Sequence, residues 1–405
     1  MKNWEVKRLW EVCKVFADGD WIESKDQSLD GIRLIQTGNV GNGLFKDRGE
    51  KARYISEITF DRLRCTEIFE GDCLISRLPD PVGRSCILPN TGQKMITAVD
   101  CTIVRFDSKK VAPHFFNYYS QSNQYLNDVE RETTGTTRKR ISRKSLGEIS
   151  TPVPPLPEQQ RIVVILDEAF AAIATAKKNA EKNLKNAREL FESYLQSVFA
   201  NPGDGWEEKN LGEVCLIKPP KSEVRKQLVS SDLVSFVPME NLGIGSKYLV
   251  ASQVRPLEDV AGSYTYFAEE DVLLAKITPC FENGKLGIAR NLSNGVGFGS
   301  SEYIVFRTTE SLHNEFLYYF LSREQFREEG AQRMSGAVGH KRVAKEFIEN
   351  YPIRLPPLPE QRAIVAKLDA LSVETKKLEA IYWQKLADLE ELKKSVLQKA
   401  FAGEL

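Results

Sequence analysis

Histidine is scarce in this chain of 405 residues, with only His114, His313 and His340. None of the three recurs at the interval described below, so they cannot supply two equivalent acid–base sites. Cysteine is present but unpaired in pattern. Residues 13, 65, 73, 86, 101, 215 and 280 include no C-x-x-C spacing. A structural zinc site needs clustered thiolates or imidazoles, and this distribution offers none. Scattered thiols of this kind are expected to be buried and chemically quiet. Long apolar runs are also missing. Runs such as Ile162 to Leu166 fall far short of the roughly 18 residues of a membrane span. The start, MKNWEVKRLWEV, lacks the apolar core of a secretory signal. A cytoplasmic location is the expectation. Net charge is zero, from 56 basic and 56 acidic residues. That excludes a simple polycation coating nucleic acid, but not a local basic patch.

With 41% hydrophobic and 28% charged residues, the chain has a globular composition and room for two to four domains. What fills that room is a duplication. Trp4-Glu5, Lys7, Leu9 and Glu11-Val12-Cys13 return 202 residues later as Trp206-Glu207, Lys209, Leu211 and Glu213-Val214-Cys215. Pro154-Pro155-Leu156-Pro157-Glu158-Gln159 returns as Pro356-Pro357-Leu358-Pro359-Glu360-Gln361. Leu195-Gln196 and Phe199-Ala200 return as Leu397-Gln398 and Phe401-Ala402.

Each copy has one plan: a globular part, a proline-rich hinge and a long helix. The hinge Thr151–Pro157 is expected to be irregular, since proline removes a donor and restrains its predecessor. After it, Glu158 to Ala200 contains no Gly or Pro. Its apolar positions, from Ile162, Leu166 and Ala169 through Ala180, Leu184 and Phe191 to Tyr194 and Val198, step by 3 and 4 as a coiled-coil seam does. The second seam runs from Ile364 and Leu368 through Leu378, Leu389 and Leu392 to Val396 and Ala400, with Thr375 and Lys385 as weak points, and ends at Gly403. Single-stripe helices this long need a partner, and each is the other's natural one.

The globular parts read as mixed α/β. Strands are expected at Gly31–Thr37, Cys73–Ser76, Thr102–Phe106, Val234–Val237, Val272–Lys276 and Tyr303–Arg307. Helices are expected at Pro113–Asn127 and Asn314–Glu329. The copies agree at their ends and diverge in their centres. That is the pattern of one shared job done twice beside two different jobs.

The doubled P-P-L-P-E-Q before a long helix, the W-E-x-K-x-L-x-E-V repeat start and the closing Ala400-Phe401-Ala402-Gly403-Glu404-Leu405 resemble the specificity (S) subunits of type I restriction–modification systems. The resemblance spans both halves. It implies an α+β fold with two tandem target-recognition domains, residues 1–153 and 202–355. Hinge and spacer helix occupy 154–201 and 356–405, and the two helices pair as an antiparallel coiled coil with pseudo-twofold symmetry. It further implies a non-catalytic subunit that binds double-stranded DNA, two methyltransferase (M) subunits and restriction (R) subunits. S-adenosylmethionine would sit on the methyltransferase partner, not on this chain. The hinge residues Pro155, Leu156, Pro157, Glu158 and Gln159, with Pro357, Leu358, Pro359, Glu360 and Gln361, would then serve the partners.

Candidate DNA contacts follow from charge and repetition. Arg131–Lys144 carries six cations against Glu132. Thr136, Arg138, Lys139, Arg140 and Arg143 are its candidates, beside a threonine-rich turn suited to phosphate. The counterpart, Ser335–Arg342 with Lys345 behind it, offers His340, Lys341, Arg342 and Lys345. Gln36, Thr37 and Asn39 align with the region of Glu240 and Asn241, Arg77 with Lys276, and Arg84 with Lys285. Such residues can read base edges, although Asn39 and Asn241 equally suit turn caps and basic patches are often only solvated faces.

Catalytic motifs are not found. Gly243-x-Gly245 and Gly295-x-Gly297-x-Gly299 lack a strand–helix setting, and no acid-x-Lys at nuclease spacing follows Pro79-Asp80. Two competing readings share features with this one: the recognition part of a bifunctional type II enzyme, and a two-module protein scaffold.

Overall fold

The computed structural model describes residues 4–337 and 339–405; Met1–Asn3 and Val338, the latter inside the second basic segment, lie outside them. The chain folds into two compact units, Met1–Glu181 with Gln384–Leu405, and Lys182–Trp383. Both boundaries fall inside long helices. The end of each long helix packs into the core of the unit it belongs to.

In the first unit, Glu5–Arg8 pairs antiparallel with Ser150–Val153, so the globular part closes on its own start. The supposed hinge is therefore partly a strand. Pro152 lies opposite Val6 in a two-stranded edge, where a missing donor is tolerated. The helix begins at Leu156, with Pro157 in the first turn, where proline's fixed φ suits it. Between these ends lie two sheets. One has the order Cys13–Asp18, Cys101–Phe106, Cys73–Ser76, Ser85–Ile87; the other Arg53–Ile55, Ile32–Ile35, Met95–Thr97. The expected helix 113–127 is two, Pro113–Tyr119 and Asn123–Arg131. The Ser122 hydroxyl accepts from the Tyr125 amide and starts the second, as an N-cap does.

The second unit repeats this plan. Glu207–Asn210 pairs with Pro352–Leu355. One sheet runs Cys215–Ile217, Tyr303–Thr308, Val272–Ala275, Leu286–Ile288. The other gains a fourth strand: Gln253–Pro256, Leu233–Val237, Val296–Gly299, Thr265–Ala268. The expected helix 314–329 is again two, Asn314–Ser322 and Glu324–Gln332, with Arg323 extended between them.

The long helices, Leu156–Ala200 and Leu358–Ala402, have 45 residues each, or about 68 Å at 1.5 Å per residue. Within the first unit their segments run antiparallel. Arg161 donates to the Leu405 carbonyl at 2.6 Å and Lys177 pairs with Glu390 at 2.6 Å. Within the second, Arg188 meets Glu379 at 2.8 Å. Most of the first predicted seam is covered, but Tyr194 is 36% exposed and Leu195 and Phe199 take its place. Thr375, a weak point by composition, is 2% exposed because its hydroxyl donates back to the Leu371 carbonyl at 2.9 Å, a bond within the helix.

The helix ends complete the globular cores. Phe401 lies edge-on to Phe115 and Tyr119 at 5.4 and 5.3 Å. In the other unit Phe199 does the same to Phe316 and Phe320 at 5.1 and 5.4 Å. Removing such a ring costs roughly 3–5 kcal/mol. Among the described residues no helix is long and apolar enough to cross a membrane.

Candidate nucleic-acid interface

Both basic segments are closed at the base in the same way, the first over seven residues and the second over eight. In the first unit the Thr134 and Arg140 backbones exchange N–H···O bonds of 2.9 and 2.9 Å. In the second, Ser335 and Arg342 exchange bonds of 3.1 and 2.8 Å. Glycine follows the first closing residue in each. Gly135 has φ +94°, and a Cβ there would sit 2.7 Å from the Arg138 carbonyl oxygen; Gly336 has φ +127°, and a Cβ there would sit 2.9 Å from that of His340. Only glycine fits both the space and the backbone.

An acid anchors each loop at its base. Arg140 pairs with Asp100 at 2.9 Å. Arg342 grips Glu302 through Nε and Nη2, each at 2.8 Å. That bidentate pairing holds the Glu302 carboxyl below its ordinary range. The first site is richer in charge. Arg138 is 4.0 Å from Asp100 with its side chain 75% exposed, Arg143 is 3.5 Å from Asp18, and Lys139 pairs with Glu130 at 2.9 Å. Thr136, Lys144, His340 and Lys341 are exposed, and Lys345 pairs with Glu349 at 2.8 Å. Exposed pairs of this kind add little stability, so these cations can exchange partners at small cost.

Arg77 and Lys276 occupy matching places. Each sends its amide to the carbonyl of the loop-anchoring acid, at 2.9 Å from Asp100 and 2.9 Å from Glu302. Each also accepts from the residue after the loop arginine, Ile141 at 3.3 Å and Val343 at 3.0 Å. Their side chains differ. Arg77 is buried against Asp18 at 3.2 Å, and desolvation draws its guanidinium below the ordinary value. Lys276 Nζ reaches the Ser301 carbonyl at 3.1 Å.

Of the remaining aligned residues, the two cations and the two asparagines build the fold. Arg84 is 7% exposed. Its guanidinium donates to the carbonyls of Val40, Leu78, Pro81 and Thr37 at 2.7, 2.6, 3.0 and 2.9 Å. Lys285 does a reduced version of this, donating to the Met239 carbonyl at 2.7 Å. Asn39 accepts from the Gln36 amide and donates to the Lys46 carbonyl, both at 3.0 Å. Asn241 donates to Val250 and Ser252 at 3.1 and 2.8 Å. Both asparagines thus cap loops, the turn role weighed from sequence. Gln36 and Thr37 are half-buried and Glu240 is exposed.

The proline motifs also turn inward in part. Gln159 and Gln361 are 0% exposed. The Gln159 amide nitrogen donates to the Lys110 and Pro154 carbonyls, both at 2.8 Å, and its oxygen accepts from the Ala112 amide at 2.8 Å. Gln361 repeats the set with Ser311, Pro356 and His313 at 2.9, 2.9 and 2.8 Å. As partner contacts these two glutamines are displaced by burial; they lock each long helix to the globular part before it. Pro155, Pro157, Pro357, Pro359 and Glu360 remain exposed, while Leu156, Glu158 and Leu358 are half-buried. Glu158 meets Arg161 at 2.8 Å, and Glu360 accepts from the Trp206 indole at 3.0 Å.

Sequence reasoning passed over Asp18, Asp100 and Glu302. The last two stand 202 residues apart, and carrying the repeat comparison through the loops would have found them. It also passed over two tyrosines, Tyr118 and Tyr319, whose hydroxyls donate to Asp167 and Asp369 on the long helices. Among the described residues no group of three or more His, Cys, Asp or Glu could hold a metal ion. The cysteines are free and buried or half-buried. Burial pushes the thiols of Cys13, Cys86 and Cys215 up to about 12, which leaves them protonated and unreactive.

Comparison with known proteins gives a consistent result. The family model for the type I restriction modification DNA specificity domain matches twice, over residues 1–185 and 203–386. The specificity subunit of the Escherichia coli type I restriction enzyme EcoAI is 36% identical over 171 residues, 42% of this chain and 28% of that subunit. For EcoEI the figures are 37%, 169 residues, 42% and 28%. The aligned stretch is thus under a third of either relative's length. The MjaVIII specificity subunit of Methanocaldococcus jannaschii is 24% identical over 424 residues, 100% of this chain and 93% of that one. Two solved structures share the fold. A chain from a study of complex assembly and conformational transition of the type I R-M system gives a TM-score of 0.77 at 21% identity, covering 100% and 99% of the two chains. The HsdS subunit from Thermoanaerobacter tengcongensis gives 0.61 at 21%, covering 100% and 98%.

Proposed function

Because the chain belongs to the type I restriction–modification DNA specificity family in both of its halves, we propose that it is the sequence-specific double-stranded DNA-binding subunit of such a complex. In this reading it recognises an asymmetric, two-part target and directs adenine methylation or cleavage by partner methyltransferase and restriction subunits. The observation that carries it is the doubled loop: one way of closing, by Thr134–Arg140 and by Ser335–Arg342 with a glycine after the first closing residue, and different side chains and length on each copy. A shared frame sets two readers in place, and unlike side chains give them unlike sequences to read.

Arg138, Lys139, Arg143, Lys341 and Lys345 are the phosphate-facing group in this reading. Arg84, Lys285, Asn39 and Asn241 shape the loops that carry Gln36, Thr37 and Glu240. The exposed prolines of the two P-P-L-P-E-Q motifs and the open faces of the long helices serve the methyltransferase subunits, which bring S-adenosylmethionine.

The test is co-expression with methyltransferase subunits in a host lacking other adenine methylation, followed by genome-wide mapping of N6-methyladenine. A motif of two unlike parts separated by a fixed number of unspecified bases is the expected result. A contiguous palindrome, or no motif, would reject the reading.

A further inference from the structure

The two units are not equivalent beside their loops. In the first, strand Cys13–Asp18 runs along its neighbour to the Asp18–Thr102 pair. The chain then continues, with Gly19 donating to the Cys101 carbonyl at 2.9 Å and Asp20 to that of Thr97 at 2.8 Å. In the second, strand Cys215–Ile217 stops after three residues. The Lys218 amide still reaches the Val305 carbonyl at 2.8 Å, but Lys218 has φ +61° and Pro219-Pro220 follow. A cleft of about 610 Å³ opens along Tyr303 and Ile304, at the start of the strand left uncovered.

Five cations line this cleft: Lys218, Lys221, Lys276, Arg342 and Lys345. No carboxylate is among the described lining residues, although Glu302 and Glu349 stand behind Arg342 and Lys345. Tyr264, Tyr266 and Tyr303 supply aromatic wall. Cations gathered along a cleft suit the phosphates of a nucleic-acid backbone. The cleft is also continuous with the second loop, since Arg342 closes that loop and Lys345 follows it. In the matching place the first unit offers main chain and Asp18, whose carboxylate already pairs with Arg77 at 3.2 Å and with Arg143 at 3.5 Å.

We propose that this cleft is a second, one-sided binding site for the phosphodiester backbone of the DNA bound by the adjacent loop, present in Lys182–Trp383 and not in the other unit. The proposal rests on the DNA-binding reading above. It adds that the flank of one half-target is held more tightly than the other, by Lys218 and Lys276 in particular.

The experiment uses the full chain assembled with its methyltransferase subunits and a duplex carrying the mapped motif. Affinity is measured from low to high salt for the parent, Lys218→Gln, Lys276→Gln and the double variant. Lys14→Gln with Lys109→Gln, exposed positions of the first unit outside both loops and both long helices, serves as a charge-matched control. Each lost phosphate contact should lower the slope of log affinity against log salt by about 0.9, and the double variant by about 1.8. Phosphate-ethylation interference should disappear on the flank of one half-target only.

A slope unchanged in the double variant, in an assembly that still binds its motif, overturns the cleft and leaves the DNA reading standing. A parent assembly that binds no duplex overturns both. Saturable binding of free AMP or ATP that Lys218→Gln abolishes, with duplex binding intact, would reassign the cleft to a small nucleotide and overturn the proposal.

Discussion

Arg342 holds Glu302 with two nitrogens at 2.8 Å, in the position where Arg140, 202 residues earlier, holds Asp100 at 2.9 Å with one. The acid sets the loop and at the same time screens its arginine from any anion outside. Glu302→Gln should therefore release Arg342. Stability should change by less than about 1 kcal/mol, because the pair is partly exposed. Binding to scrambled duplex should strengthen, and the advantage of the true motif should shrink in one half. Competition binding with duplexes scrambled in either half measures this; a loss of affinity for both would contradict it.

The buried glutamines should matter to folding. Gln361→Ala removes three hydrogen bonds at a site with no access to water, leaving carbonyls and an amide unpaired. A loss of about 2–4 kcal/mol in urea unfolding is expected, and Gln159→Ala should lose as much. Gln361→Glu should not rescue it, since a carboxylate cannot donate to Ser311 and Pro356.

Gly135→Ala would press a methyl group to within 2.7 Å of the Arg138 carbonyl oxygen at a φ of +94°. The loop must rebuild, while the sheets below need not. The chain should fold and assemble normally but lose or alter one part of its methylation motif, with Gly336→Ala altering the other. Methylome mapping of each variant reads the outcome directly.

His313 gives a pH dependence. Burial lowers its pKa, and its Nδ1 has no partner among the described residues. The unfolded chain binds a proton near pH 6.5, where the folded chain resists it. Stability is therefore full above that pH and falls as pH drops through it. The thermal midpoint of the parent should fall more between pH 7.5 and pH 5.5 than that of His313→Asn; equal falls would remove the histidine from the account.

What was legible in the sequence was whatever repeated. Gly135 with Gly336, and Arg140 with Arg342, marked the loops, and the two P-P-L-P-E-Q motifs marked the helix starts. Two kinds of feature were hidden. Strand Ser150–Val153 reads as a proline hinge because the partner that makes it a strand, Glu5–Arg8, is far away along the chain, and strand formation depends on such partners. Asp100 and Glu302 read as ordinary loop acids, since nothing local says which arginine they meet. The same holds for Arg84: a cation next to a glycine in a loop resembles a DNA contact until four carbonyls are found around it.

Leu397, Ala400 and Phe401 sit in the same core as Leu9, Phe115 and Tyr119. A ribosome delivers those residues up to almost four hundred positions apart. The N-terminal globular part must therefore wait, with part of its apolar interior open, until Leu397–Phe401 have emerged. Lys182–Trp383 draws only on its own residues and has no such delay. The half made second can be the half that folds first, and a chain cut before Leu397 would be injured in the core that holds Leu9.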